Sequence, residues 1–137
     1  MKHWQKAALA VAMVGLLAGC SAKANAPAET VTVKAENTSF ATKEITVEKG
    51  KTYQLVLDNK DVQLHDFSID KISAKVEGHQ EAHGHDTTNK NPDLHVQADA
   101  GKSGTLTFTP SQQGTFTFYC TVPGHKDAGM QGKLIVK

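Results

Sequence analysis

An antiparallel all-β sandwich or barrel of about 100 residues is the fold class this sequence predicts. Three observations point to it. Short apolar–polar alternations recur from Thr30 to Val136, Gly, Pro and Asn breaks separate them, and no segment sustains a helical period. A chain of 137 residues has room for one such domain rather than two. A single core of that size buries roughly two-thirds of the unfolded surface, enough for independent folding.

The strands follow in order. Val31, Val33 and Ala35 alternate with polar residues, and so do Ile45 and Val47. Tyr53, Leu55 and Leu57 share one face, with Gly50 before them and Asp58-Asn59 after them as turn signals. In the next strand His65, Phe67 and Ile69 share a face, and Asp66, Ser68 and Asp70 take the opposite one. The apolar companions of His65 predict that it points inward. Residues 77–93 (EGHQEAHGHDTTNKNPD) carry almost no apolar side chain and predict a long exposed loop inserted between two strands. His95 lies between Leu94 and Val96, and alternation sends it outward. Leu106 and Phe108 alternate with threonines as far as Pro110. Phe116, Phe118 and Cys120 form one face of the following strand, and Leu134 and Val136 close the chain. No internal repeat is apparent.

The N-terminus reads differently. A basic start, residues 2–6, precedes thirteen unbroken apolar or small residues from Ala7 to Gly19. That run is too short to span a bilayer, which takes about 20 residues, and has the form of a secretory signal. Its end, Leu17-Ala18-Gly19-Cys20, resembles the lipobox of bacterial lipoproteins. The resemblance implies cleavage of residues 1–19 and a lipid on the Cys20 sulfur. Residues 20–29 then form a small, polar tether containing Pro27, and residues 30–137 form the domain. Nine extended residues reach about 30 Å, so the domain is expected close to the membrane without touching lipid. The expected location is outside the cytoplasm, on the outer face of the cell membrane or in a periplasm or outer membrane.

Composition excludes several functions. The formal charge is +1, and loss of Lys2 and Lys6 with the leader turns it into −1. Every basic residue is lysine. A near-neutral domain without arginine offers nucleic acid no basic patch. Neither a GxGxxG nor a GxxxxGKS pattern occurs, and dinucleotide and P-loop chemistry are not expected. A monomer is expected.

Sulfur is the informative element. With Cys20 lipidated, Cys120 has no cysteine to pair with, and an odd cysteine in an exported chain is a free thiol or a ligand. Met130 is the single methionine beyond the leader, ten positions on. Between them stands His125, in the spacing Cys-x4-His-x4-Met. Thiolate, imidazole and thioether in one tight loop make a soft donor set suited to copper in both oxidation states. Pro123-Gly124 and Gly129 let the loop fold back on itself. A second imidazole is needed, and His65 supplies it from an inward strand face.

These residues resemble the cupredoxins, the blue-copper family. The resemblance spans about residues 30–137. It rests on Phe40, on Ile45-x-Val47-x-x-Gly50 leading to Asn59 and His65-Asp66-Phe67, and on Tyr119-Cys120 through Met130 with Gly132-Lys133-Leu134. The loop spacing is closer to rusticyanin-like and auracyanin-like members than to plastocyanin. The resemblance implies a Greek-key β-sandwich and one mononuclear type 1 copper held by His65, Cys120, His125 and Met130. It implies single-electron transfer between membrane-associated redox partners such as membrane cytochromes or a terminal oxidase. It also implies an exposed apolar patch around the edge of His125 where partners dock. Backbone amides near Asn59 and in the 120–125 loop are expected to donate to the Cys120 sulfur.

The His-rich stretch departs from the family pattern. His79, His83 and His85 form a possible second, weak metal site, set against the simpler reading of a solvated polar loop. A copper delivery or storage protein that collects metal on this loop is therefore the alternative function. An enzyme is not expected. A copper enzyme resembling nitrite reductase needs a second domain and a three-His copper, and a dinuclear copper domain of the oxidase-subunit type needs two cysteines in the ligand loop.

Overall fold

The computed structural model describes residues 28–80 and 92–137. The expected leader, Cys20 and most of the expected tether, together with His83, His85 and the side chain of His79, lie outside the described residues. Strands β1 (Glu29–Glu36), β2 (Ser39–Phe40), β3 (Glu44–Val47), β4 (Tyr53–Asn59) and β5 (His65–Ile69) make up the first half. Strands β6 (Ala74–Gln80), β7 (Leu94–Ala98), β8 (Ser103–Pro110), β9 (Gly114–Tyr119) and β10 (Gln131–Val136) complete the domain. They form two five-stranded sheets, in the orders β2-β1-β4-β8-β6 and β3-β10-β9-β5-β7. Among the described residues there is no helix.

Alternation builds the core as the sequence predicts. Tyr53, Leu55 and Leu57 of β4 and Leu106 and Phe108 of β8 face inward from one sheet. Phe67 and Ile69 of β5, Phe118 of β9 and Leu134 and Val136 of β10 face them from the other. Each such side chain contributes about 1.5–3 kcal/mol relative to exposure. Phe67 stacks on Phe118 with ring centroids 4.6 Å apart, and Phe40 meets Phe118 edge-on at 5.5 Å. This aromatic trio ties β2 to β5 and β9, the two strands that lead to the candidate ligands.

Three features differ from the sequence-based expectation. The sheets are mixed rather than wholly antiparallel: β1 runs parallel to β4, and β3 parallel to β10. After β2 the chain crosses to the second sheet to lay down β3 and then returns, so β1 and β4 share a direction. Secondly, β6 extends to Gln80, four residues into the stretch read as loop. Its side chains are mostly exposed, Val76 included, because β6 is an edge strand paired only with β8. Backbone pairing therefore makes a strand where hydrophobic pattern shows little. Thirdly, Asp66 and Ser68 are as buried as His65. Their face of β5 is flanked by β7, where Gln97 and His95 stand opposite them, and Thr121 closes over Asp66.

Candidate metal centre

The ligand-bearing segments meet at one end of the sandwich. His65 opens β5, directly after the β4–β5 connection. Cys120 directly follows β9 and begins a loop that returns at Met130. The loop is closed by its own backbone: Cys120 N–H donates to Met130 C=O at 3.1 Å, and Met130 N–H donates to His125 C=O at 2.9 Å. His125 N–H in turn donates to Val122 C=O at 3.0 Å. Gly124 and Gly129 take φ of 81° and 90°, left-handed values that a side chain would oppose, so both predicted turns form. Lys43 Nζ grips the loop from outside at Gly129 C=O, 3.0 Å.

Three donor atoms converge. His65 Nδ1 lies 3.8 Å from Cys120 Sγ, and His125 Nδ1 lies 3.5 Å from it. All three ligand atoms fall within 4.8 Å of one another. A trigonal metal with nitrogen and sulfur bonds of the usual length would place its donors about 3.8 Å apart. The pocket therefore fits a metal ion, and its donor chemistry selects copper. Met130 is fully buried in the same loop and would supply a thioether donor to the metal. His65 and Cys120 have no solvent exposure, whereas His125 retains 8%. Its loop neighbours Pro123, Gly124 and Ala128 are exposed, as are Lys126 and Asp127, and Val122 is half-buried.

The electrostatics are those of a thiol waiting for a cation. Burial pushes the Cys120 thiol up to about 11, and the nearby Asp66 carboxylate adds to the shift. The amides of Asp66 and Val122 act in the opposite direction by donating to the sulfur, Asp66 N–H at 3.5 Å. The donor from the first ligand strand is thus the residue after His65 and not one near Asn59. Asn59 serves another purpose: its Nδ2 donates to the carbonyls of Gln63, Ala98 and Asp99, and its Oδ1 accepts from Asp61 N–H. Burial also lowers His125, with His65 beside it acting the same way.

Sequence reasoning missed two carboxylates. Asp66, 2% exposed, accepts from Thr121 N–H at 2.8 Å, from Thr121 Oγ1–H, and from Ser68 Oγ–H at 3.2 Å. It locks the start of the ligand loop to β5. Asp61 Oδ2 lies 3.1 Å from His65 Nε2. Their positions, one after and four before His65, were the available signal. Tyr119 adds a third brace: its hydroxyl donates to Asp70 at 2.6 Å, and Lys126 Nζ sits 4.0 Å above its ring. His95 is half-buried opposite Ser68 and takes no part in the donor cluster.

A buried thiol between two imidazole Nδ1 atoms, with a thioether from the same loop, at one end of a β-sandwich, defines a blue copper protein with one mononuclear type 1 centre. The chain belongs to the cupredoxin-like domain family, which it matches over residues 8–136. It is 31% identical over 106 residues to the copper-resistant cuproprotein CopI of Rubrivivax gelatinosus. That match takes in 77% of this chain and 64% of the relative's length. Among solved structures, auracyanin B superposes with a TM-score of 0.61 at 26% identity, covering 82% of this chain and 91% of that one. The reduced auracyanin of Roseiflexus castenholzii gives the same score and identity, covering 80% and 98%.

Proposed function

We propose that this protein carries single electrons between membrane-associated redox partners outside the cytoplasm, tethered by lipid on Cys20. The observation that carries the reading is the preset donor cluster with one nearly buried imidazole edge leading out. A copper ion held by His65, Cys120, His125 and Met130 would supply one-electron chemistry between the cupric and cuprous states. The protein's own residues do the rest. The 120–130 loop, closed by its internal hydrogen bonds, keeps Cys120, His125 and Met130 in one arrangement whatever the metal's charge. Asp66 and Thr121 fasten that loop to β5, so little reorganises on electron transfer. Burial of His65 and Cys120 keeps water from the sulfur. His125 presents its exposed edge to a partner such as a membrane cytochrome or a terminal oxidase, and the surrounding Pro123, Gly124 and Ala128, with exposed Lys126 and Asp127 beside them, form the docking face.

Similarity to a copper-resistant cuproprotein and the His79, His83 and His85 tract favour a second reading, copper sequestration or delivery. Loading with one equivalent of Cu(II) separates the two. A carrier turns intense blue, shows a type 1 EPR signal, exchanges electrons rapidly, and loses its colour in Cys120→Ser. Slow exchange with ready copper transfer to an apo acceptor supports delivery. A colourless protein with a square-planar signal refutes the type 1 site itself.

A further inference from the structure

We propose that Asp61 is a positioning residue for the metal centre: its carboxylate holds the proton of His65 on Nε2, turns Nδ1 toward Cys120, and places a negative charge behind the ligand that favours the oxidised metal. The contact is Asp61 Oδ2 to His65 Nε2 at 3.1 Å. An imidazole whose Nε2 faces an acceptor keeps its proton there, leaving the Nδ1 lone pair free. That Nδ1 is the atom 3.8 Å from Cys120 Sγ.

The carboxylate is itself held from several directions. Thr38 N–H donates to Oδ2 at 3.0 Å and Val62 N–H to Oδ1 at 2.7 Å. Asp61 N–H donates to Asn59 Oδ1 at 2.9 Å, and Gly101 N–H donates to Asp61 C=O at 3.1 Å. Thr38 reaches Asp61 from the β1–β2 turn with a φ of 54°, a left-handed conformation that a β-branched residue rarely adopts. Asn37 beside it takes a φ of 52°, and these two left-handed residues form the tight hairpin turn between Glu36 and Ser39 that aims the Thr38 N–H at the carboxylate behind a ligand. A backbone carbonyl or an amide would satisfy Nε2 equally well. A carboxylate adds charge, which raises the basicity of the imidazole and stabilises the more highly charged metal state.

The inference rests on the copper reading, and the test separates the two. Wild type and Asp61→Asn are loaded with copper, and their midpoint potentials are measured by spectroelectrochemical titration. In parallel, the His65 tautomer is read by 15N NMR in the copper-free wild type and in Asp61→Ala. The amide keeps the hydrogen bond and removes the charge. Asp61→Asn is expected to stay blue with its potential raised by about 59 mV, the one-electron equivalent of a tenfold change in relative affinity for the two oxidation states. Tenfold is the low end of the effect of replacing such an outer partner. The copper-free wild type is expected to carry the proton on Nε2, and Asp61→Ala to show mixed tautomers. A blue Asp61→Asn with unchanged potential overturns the charge role. A proton on Nδ1 in wild type overturns the proposal even where the variants fail to fold. A wild type that never turns blue refutes the copper reading, and the charge role with it, while the metal-free tautomer still decides the positioning role.

Discussion

Cys120 is the residue on which the chemistry turns. Its thiol is held neutral by burial and by the Asp66 carboxylate, near pKa 11 in the copper-free protein, yet metal binding takes the thiolate. Copper uptake at pH 8 must therefore release one proton from Cys120. His125, shifted downward by burial, is already neutral there and releases none. A weakly buffered indicator assay should read one proton per copper, and none in Cys120→Ser; no release in wild type would contradict thiolate ligation. The same shift has a consequence for folding. The folded pKa is raised above that of an exposed thiol, so its contribution is complete below about pH 9 and is lost as pH rises toward 11. Thermal melts of the copper-free protein should fall across that window, and less so in Cys120→Ser.

At the scale of elements, β5 and the 120–130 loop form one unit. Asp66 bonds the loop through Thr121, Tyr119 reaches Asp70, and the Phe67–Phe118 stack supports both from the core. On its other side β5 is paired with β7, where Ala98 stands opposite His65. The seam between β7 and β8 is unusually close at Gly104. A Cβ there would overlap the carbonyl oxygen of Gln97 and come within 2.8 Å of Val96 Cγ2. Backbone cannot move aside as a flexible side chain does. Gly104→Ala is therefore expected to cost about 1–3 kcal/mol in urea unfolding of the copper-free protein, the range for overpacked cores. Unchanged stability would mean that the sheets are free to separate at this point.

Across the whole molecule the donors come from two places far apart in sequence, His65 on one side of the His-rich stretch and the 120–130 loop on the other. None lies in residues 81–91. The strand that leads into that stretch, β6, is the outermost of its sheet, separated from β4 by β8. Replacing residues 81–91 with a short Gly/Ser linker should leave the blue absorption and the one-to-one copper stoichiometry of the type 1 site unchanged. It should remove any weaker copper bound beyond the first equivalent, measured by equilibrium dialysis. Loss of colour would place a ligand in the segment removed.

The candidate site was legible in the sequence because its chemistry is carried by rare residues: a single cysteine and a single methionine after residue 20, and an inward histidine. Alternation of period two revealed most strands for a similar reason, since a half-buried strand writes its burial into its sequence. Strand β6 left no such mark, because an edge strand with exposed side chains is held by backbone pairing, which any residue can supply. The parallel neighbours β1 and β4 were equally hidden, since local pattern carries no record of which strands meet. The two carboxylates behave likewise. Asp61 and Asp66 are ordinary acidic residues in the chain, one of them on a strand face that alternation sets opposite the core. Only the approach of Thr38, Thr121 and the ligand loop, brought from elsewhere in the fold, turns them into the supports of His65 and Cys120. Residue identity settles which donors exist; packing settles what stands behind them, because the cost of burying a charge depends on partners that no neighbouring residue can name.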